Sequence, residues 1–437
     1  MVGAARSGIA AAELLARRGA AVTLTEVRDT FDGAAQLQAA GVALETGGHR
    51  PETFAGADLI VASPGVPLEQ PAFDAARARG VEIIGELELA WRWVQGRVIA
   101  ITGTKGKSTT TTLIGRMLDA AGAKAVVGGN IGVPLSAQVE ASTPDTIHVV
   151  EASSFQLETT TTFRPWIAVW LNFAADHLDR HPTVEAYASA KARVFANQTA
   201  DDWAVLNADD GTVMTRAAGI AARRVEFALS GRIADGFVVD GGWIVRRTGT
   251  VTDRVLPLLA VELTGRHMLN NVLAAVAVTS VAGKPSQAMT EALRGFRGLA
   301  HVMEPAGTIG GVRFVNDSKA TNIEAARRSI ESFSGVVAIV GGRFKGGDLR
   351  ELRGPLAERG RAVVAIGEAA PLVREAVSGV VPVIEAASMR EAVERGYEAA
   401  KPDGVVLLAP ACASFDWFRD YAERGEQFKA EVARLKK

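Results

Sequence analysis

The chain has a single cysteine, Cys412, among 437 residues. An internal disulfide framework is therefore excluded, and a reducing compartment is the natural setting. Neither charge is in excess, since 48 Lys and Arg against 49 Asp and Glu leave a net charge of −1. That balance supplies no basic field for nucleic acid, and no Lys/Arg block with interleaved aromatics appears. A run of about 18 apolar residues, long enough to span a membrane, is also missing. The first residues lack the charged-then-apolar layout of a secretory signal. The expectation is a cytoplasmic monomer with small-molecule substrates and neither nucleic-acid nor membrane partners. With 48% apolar and 22% charged residues the composition is that of a globular protein. The length exceeds one ordinary core and suggests about three domains.

The densest signal is Val98 to Thr112, VIAITGTKGKSTTTT. Val98 to Ile101 read as a short buried strand, Gly103-Thr104-Lys105-Gly106 as a turn, and Lys107-Ser108-Thr109 as the opening of a helix. Strand, glycine loop, Lys-Ser and helix make a phosphate cradle. Glycines let backbone N–H groups approach phosphate, the helix N-terminus adds its positive end, Lys107 reaches the terminal phosphates, and Ser108 is placed to ligate Mg²⁺. Ile101 stands where the general G-x-x-x-x-G-K-[ST] pattern has its first Gly. The variant T-G-T-K-G-K-S-T resembles the ATP-binding loop of the Mur ligases and folylpolyglutamate synthases, which are ATP-dependent amide-forming ligases.

The chain opens as glycine turn, helix, strand (Ala21 to Thr25) and Glu26, half of a Rossmann-type unit. Gly3 and Gly8 hold the outer glycine positions of G-x-G-x-x-G and Ala5 the middle one. Read alone, the stretch suits a dinucleotide or a turn kept for helix–sheet packing. Only Val2 precedes the turn. The expectation is a missing first strand, with the N-terminus shortened relative to the natural protein or the neighbouring strands closing over the gap. Further strands are expected at Leu59 to Ala62 and Val81 to Ile84, with Ser63-Pro64-Gly65 at a carboxyl edge.

In the central region, strands are expected at Ala125 to Val127, Ile147 to Val150, Ile167 to Leu171 and Trp203 to Asn207. Glu151 ends one of them beside the phosphate loop, a natural position for a Mg²⁺ ligand. Asp176 to His181 brings two of the six histidines, His177 and His181, after another strand end. Lys191 lies on a helix whose periodicity does not decide between surface and site. Arg223 to Leu263 alternates as short antiparallel strands, and Gly265-Arg266-His267 begins a helix containing Asn271. The last region repeats strand–helix alternation with strands at Val312 to Val315, Val336 to Val340, Ala362 to Ile366 and Val405 to Leu408. Polar clusters follow three of them, at 316–322, 341–345 and 410–414, implying one pocket. Lys319 and Lys345 suit an anionic ligand there. Cys412 reads as a small packed residue.

NDSKATN (316–322) and PACASFDWF (410–418) extend the resemblance over nearly the whole chain, to the D-glutamate-adding branch of the Mur ligase family. The resemblance implies an α/β protein of three domains. These are a Rossmann-like UDP-substrate domain (1–93), a central phosphate-loop ATPase-type domain (94–298) and a Rossmann-like amino-acid domain (299–437). It implies that Gly103, Thr104, Lys105, Gly106, Lys107, Ser108, Thr109, Asn271, Asp317 and Lys319 contact ATP. Ser7, Glu26, Arg28, Ser63, Pro64, Gly65, Asn130, Ser153 and Gln156 would bind the UDP substrate, the first-domain turn holding UDP in place of NAD. Thr321, Lys345, Ser414 and Tyr421 would surround D-glutamate. Lys107, Glu151, His177 and Lys191 would be catalytic. Ser108, Glu151, His177 and Lys191, the last as a CO₂-derived carbamate, would hold two Mg²⁺ ions. The implied reaction is ATP-driven amide formation through an acyl phosphate in peptidoglycan precursor synthesis. The sequence departs from the family at Met268 and Val302, where Asn and Arg are usual, both at positions associated with ATP. A related ligase adding another amino acid or glutamate to folate, or a nucleotide-binding homologue without turnover, stays open.

Overall fold

The computed structural model describes residues 1–177, 180–231, 233–262 and 266–436. Two compact units divide it, Met1–Phe296 and Arg297–Lys437. The first unit opens with four short strands, β1 (Thr23–Glu26), β2 (Ala43–Thr46), β3 (Leu59–Ala62) and β4 (Glu82–Gly85). β1 pairs with β2 and β3 with β4, both in parallel. Val2 sits between the pairs, bridging Thr25 and Ala62. Its N–H donates to Val61 O at 2.8 Å, and Ser63 N–H returns to Val2 O at 2.9 Å. The neighbouring strands thus do not close over a gap. On the other side Met1 O accepts Thr25 N–H at 2.9 Å and Gly3 N–H donates to Thr25 O at 2.8 Å.

The central sheet runs β5 (Arg97–Thr102), β6 (Lys124–Gly129), β7 (Thr146–Glu151), β8 (Ile167–Trp170), β9 (Trp203–Asn207), β10 (Arg223–Ala228), β11 (Gly236–Asp240), β12 (Trp243–Thr248) and β13 (Val251–Pro257). Its spatial order is β13-β12-β11-β10-β9-β8-β5-β7-β6, so the strand before the phosphate loop lies inside the sheet, flanked by β7 and β8. β8 is wholly buried and β5 is buried after its first residue, the pattern of parallel strands covered on both faces. Among the described residues of this sheet only β11–β12 and β12–β13 are antiparallel; β10 pairs in parallel with both β9 and β11. The antiparallel expectation for 223–263 therefore holds for β11 to β13 and is corrected for β10. Alternation reports that one face is covered, here by the helix Arg266–Val281, and carries no information on strand direction. Gly265, expected at that helix start, lies outside the described residues.

One continuous core joins the first four strands' helices to this sheet: Leu14, Leu87 and Ala90 pack with Val98, Ala100, Leu135 and Phe163. Buried polar contacts reinforce it. The fully buried Glu88 carboxylate accepts the N–H and hydroxyl groups of Thr161 and Thr162 and the N–H of Phe163. Such a carboxylate is stable away from water only because its lone pairs are satisfied.

The second unit is a sheet ordered β14 (Glu304–Ile309), β15 (Val312–Asn316), β19 (Val405–Leu408), β16 (Val336–Gly341), β17 (Gly360–Ile366) and β18 (Val383–Glu385). β14 is antiparallel and the others parallel. Apolar clusters cover both faces, one around Ala338, Leu356 and Leu407, the other around Ile339, Val393 and Phe428. Among the described residues, no helix is long and apolar enough to cross a membrane.

Candidate active site

The phosphate loop is shaped from both sides. Gly103 has φ +150° and Gly106 φ +84°, and an added Cβ at Gly106 would lie 2.2 Å from Asn271 Oδ1. Only glycine fits there. Asn172, just beyond β8, clasps the loop: Lys105 N–H donates to its Oδ1 and its Nδ2 donates to Lys105 O, both at 2.9 Å. Lys107 Nζ folds back to Gly103 O at 2.8 Å and Thr104 O at 3.0 Å. The helix Lys107–Ala120 then presents the N–H groups of its first turn, including that of Thr109.

β7 neighbours β5, pairing Ile101 with Glu151. The Glu151 carboxylate, 2% exposed, is thereby delivered to the loop. Ser108 Oγ donates to its Oε2 at 2.7 Å, and Asn130 Nδ2 donates to its Oε1 at 2.8 Å. A hydroxyl and a carboxylate meeting beside a phosphate cradle form a hard-oxygen pair that suits Mg²⁺.

Lys191 lies on the helix Val184–Ala192 and is 1% exposed. Its Nζ donates to Gly103 O at 2.9 Å, the carbonyl that Lys107 also uses, and stands 4.6 Å from the Tyr187 ring centre. Burial, reinforced by the Lys107 charge, lowers its pKa from 10.5 to about 6. The amine is therefore mainly uncharged at neutral pH and nucleophilic.

His177 adopts φ +54°, a left-handed conformation uncommon outside glycine. Its N–H donates to Asp176 Oδ1 at 2.9 Å, and its ring meets Phe155 edge-on at 5.1 Å. Phe155 also stacks on His181 at 5.2 Å and 10°. His181 is buried, with Nε2 3.0 Å from Ser154 Oγ. Leu178 and Asp179 of the expected 176–181 segment lie outside the described residues.

Ser153 and Gln156 face each other in a capping box at the helix Ser154–Leu157. Ser63 Oγ donates to Gly3 O at 3.0 Å, and Gly65 O accepts from Arg180 at 3.1 Å, with Pro64 between them. Ser7 stands in the first turn of the helix Arg6–Arg17. Glu26 accepts from Ala4 N–H at 2.7 Å and from the Arg28 guanidinium at 3.0 Å. Chiefly through Arg28, its pKa falls to about 2. Asn271 is 4% exposed, and Met268 Sδ is 3.8 Å from its Nδ2.

In the second unit, hydrogen bonds tie the three expected clusters together: Asp317 N–H to Leu408 O at 2.9 Å, Gly341 N–H to Pro410 O at 2.9 Å, and Ala411 N–H to Ala320 O at 3.0 Å. Lys319 and Lys345 are exposed, Thr321 and Tyr421 partly or more exposed, and Ser414 buried. Asp317 is buried and accepts from Met303 N–H and the Ser329 hydroxyl, and burial raises its pKa. Sequence reasoning missed Arg424. Its fully buried guanidinium donates to Ser318 Oγ and O at 2.9 Å and to Cys412 O at 3.2 Å, bracing two of the clusters from below. Arg424 lies in line with the buried Phe428 and Val432 of the helix Tyr421–Leu435, but a charged residue there reads as the end of the apolar stripe and not as a buried brace. Cys412 is buried, and its thiol is pushed up to about 11, chiefly by desolvation.

Three family descriptions match in order: the Mur ligase MurD-like N-terminal domain at 1–85, the Mur ligase middle domain at 101–279, and the Mur ligase glutamate ligase domain at 303–412. A curated UDP-N-acetylmuramoylalanine–D-glutamate ligase from Acidobacterium capsulatum is 47% identical over 98% of this chain and 94% of its own length. One of the same name from Pelotomaculum thermopropionicum is 44% identical over 100% and 97%. Among solved structures, a pseudomurein peptide ligase type C from Methanothermus fervidus matches with TM-score 0.55 at 16% identity, covering 99% of both chains. UDP-N-acetylmuramate–alanine ligase MurC from Thermotoga maritima matches with TM-score 0.54 at 18% identity, covering 100% of this chain and 99% of its own. The structural matches share the fold; it is identity sustained along the whole chain, through all three domains in order, that makes this protein a member of the Mur ligase family.

Proposed function

We propose that this enzyme joins D-glutamate to the alanyl carboxylate of UDP-N-acetylmuramoyl-L-alanine, converting ATP to ADP and phosphate, in peptidoglycan precursor synthesis. The observation that carries the chemistry is the meeting of Lys107, Ser108, Glu151 and the buried Lys191 around one phosphate loop. The substrate assignment rests on the full-length likeness to ligases of that name.

The alanyl carboxylate oxygen attacks the γ-phosphorus and ADP departs, leaving an acyl phosphate. The D-glutamate nitrogen then attacks the acyl carbon, loses a proton, and phosphate leaves. In the first step the loop N–H groups of residues 103–109 hold the phosphates in line, and Lys107 neutralises charge spreading over the transferring group. Ser108, Glu151 and His177 are the residues that would hold Mg²⁺, which supplies further charge neutralisation when bound. Lys191 offers a neutral amine to CO₂, and the resulting carbamate would add an anionic oxygen donor to that set. Asn130, fixed to Glu151, aligns the muramoyl part of the substrate, while Ser7, Arg28 and the 63–65 turn bind the uridine end. Glu26, saturated by internal donors, acts by shaping Arg28 and the glycine turn. In the second unit Lys345 is the cation for a D-glutamate carboxylate, with Thr321, Ser414 and Tyr421 around it.

Mass spectrometry of products after incubation with ATP and single amino acids tests the reading. A D-glutamyl product of the uridine substrate is expected. A product only with another amino acid, or with a folate, would replace this substrate assignment.

A further inference from the structure

A buried polar chain adjoins the Asn130 loop, and none of its members is among the residues assigned to the phosphate cradle. Gln95 and Gly96, in the linker before β5, both donate N–H groups to Ser142 Oγ, at 3.1 and 3.2 Å. Ser142 Oγ lies 2.9 Å from His148 Nε2, and His148 Nδ1 lies 2.9 Å from Gln138 Oε1. Gln138 Nε2 then donates to Val133 O at 3.1 Å. His148 is 0% exposed, with Ser142 and Gln138 each 5%. Val133 O also accepts Gly129 N–H at 2.9 Å and thereby closes the 129–133 loop that carries Asn130. Gln138 also lies close against Gly128, the β6 residue just before this loop, where an added Cβ would come 2.1 Å from its Nε2.

The protons in this chain have one consistent arrangement. Gln138 must turn its amide nitrogen to the Val133 carbonyl, because the opposite rotamer would set two oxygens face to face. Its oxygen then requires a proton on His148 Nδ1. Nε2 is left as an acceptor and takes the Ser142 hydroxyl proton, while Ser142 Oγ receives the two linker N–H groups. A proton on Nε2 would give Ser142 Oγ three donors and leave its own proton without an acceptor. Desolvation agrees with a neutral ring, lowering the His148 pKa to about 4.

We propose that His148, fixed as the Nδ1–H tautomer, is a positioning residue whose hydrogen-bond relay, running from the linker at 95–96 to Val133 O, sets the Asn130 loop against Glu151 for binding the uridine substrate. The relay holds the loop from behind, so Asn130 meets Glu151 without the substrate having to order the loop first. The link to substrate rests on the assignment of Asn130 under Proposed function; the relay itself does not.

Two measurements on the full chain separate these points. Two-bond ¹H–¹⁵N correlation spectra, with His148 assigned by its loss in His148→Asn, are expected to show Nδ1 protonated and Nε2 unprotonated at pH 7. An Nε2–H tautomer overturns the relay. In steady-state kinetics, Gln138→Leu and His148→Leu are expected to raise the KM for the uridine substrate about tenfold, the effect of roughly one lost buried hydrogen bond, with the D-glutamate KM unchanged. His148→Asn, which keeps a donor near the Nδ1 position, is expected to recover part of the loss. If Asn130→Ala raises that KM and Gln138→Leu does not, the relay does not position the loop. If Asn130→Ala leaves the KM unchanged, the assignment of the loop to the substrate falls instead, and the link from relay to substrate falls with it.

Discussion

Replacing Lys191 by methionine should make the protein more stable and inactive, and the gain should depend on pH in a defined direction. The folded-state pKa of Lys191 is lowered from 10.5 to about 6 by burial and by Lys107. Between those values the unfolded chain binds a proton that the folded chain does not, so the parent's stability rises with pH across this window. At about 1.4 kcal/mol per pH unit, deprotonating the buried amine costs at most about 5 kcal/mol at pH 7 and about 2 kcal/mol at pH 9. Lys191→Met removes that cost, along with the hydrogen bond to Gly103 O. The lost hydrogen bond is independent of pH, so the slope is the readout. Urea unfolding in bicarbonate-free buffer should show the advantage of Lys191→Met shrinking by about 1.4 kcal/mol for each unit from pH 7 to 9. The same shift makes the amine mostly neutral at pH 7.5, where an unperturbed lysine is almost wholly charged, and the neutral form is the one that adds CO₂. Adding ¹³C-bicarbonate should therefore give a carbamate signal in the parent that Lys191→Met lacks. Lys191→Ala should lose nearly all turnover and regain part of it with short carboxylic acids. A stability difference independent of pH, with no carbamate signal, would refute the reasoning and leave Lys191 an ordinary lysine.

Glu86 is fully buried, with Oε1 accepting Ser136 N–H at 2.7 Å and Oε2 without a hydrogen-bond partner among the described residues, and burial raises its pKa. Its contribution is present at low pH and lost as pH rises through the raised value, so Glu86→Gln should gain stability over the parent at pH 8 and little at pH 5, read by thermal unfolding. Lys345→Ala should raise the D-glutamate KM roughly 10- to 150-fold, the loss of a charge-assisted hydrogen bond, while the ATP KM stays put; movement of the ATP KM alone would show the pocket misplaced.

The phosphate loop is legible because an apolar strand, two glycines and Lys-Ser are adjacent in sequence, and the cradle is a local structure. Glu151 is legible for a related reason, as an acid ending a β-branched run. Lys191 is harder to read, since its burial is created by Gly103 and Tyr187 around it and the helix Val184–Ala192 does not alternate clearly. The direction of β10 and the short strands β2, β14 and β18 escape pattern reading, because pairing partners decide both. At the start, Val2 makes two single bridges, to Thr25 and Ala62, less than any strand pattern could reveal. Glu26 was visible as an acid after a strand, but its saturation by Ala4 and Arg28 follows from a turn closed in three dimensions. The Arg424 brace left no trace because it joins segments about a hundred residues apart, and the His148 relay left none because its members, though near in sequence apart from 95–96, meet through an irregular turn that no periodicity reports.

The central claim is that one phosphate loop, with Lys107, Ser108, Glu151 and Lys191 around it, drives amide formation with D-glutamate. It is tested most directly by phosphate release from ATP with the uridine substrate present and D-glutamate added or withheld. Sustained release is expected only with D-glutamate, in equal amount to the amide formed. Binding of ATP with no release under any combination, or release equal with L-glutamate, would contradict it.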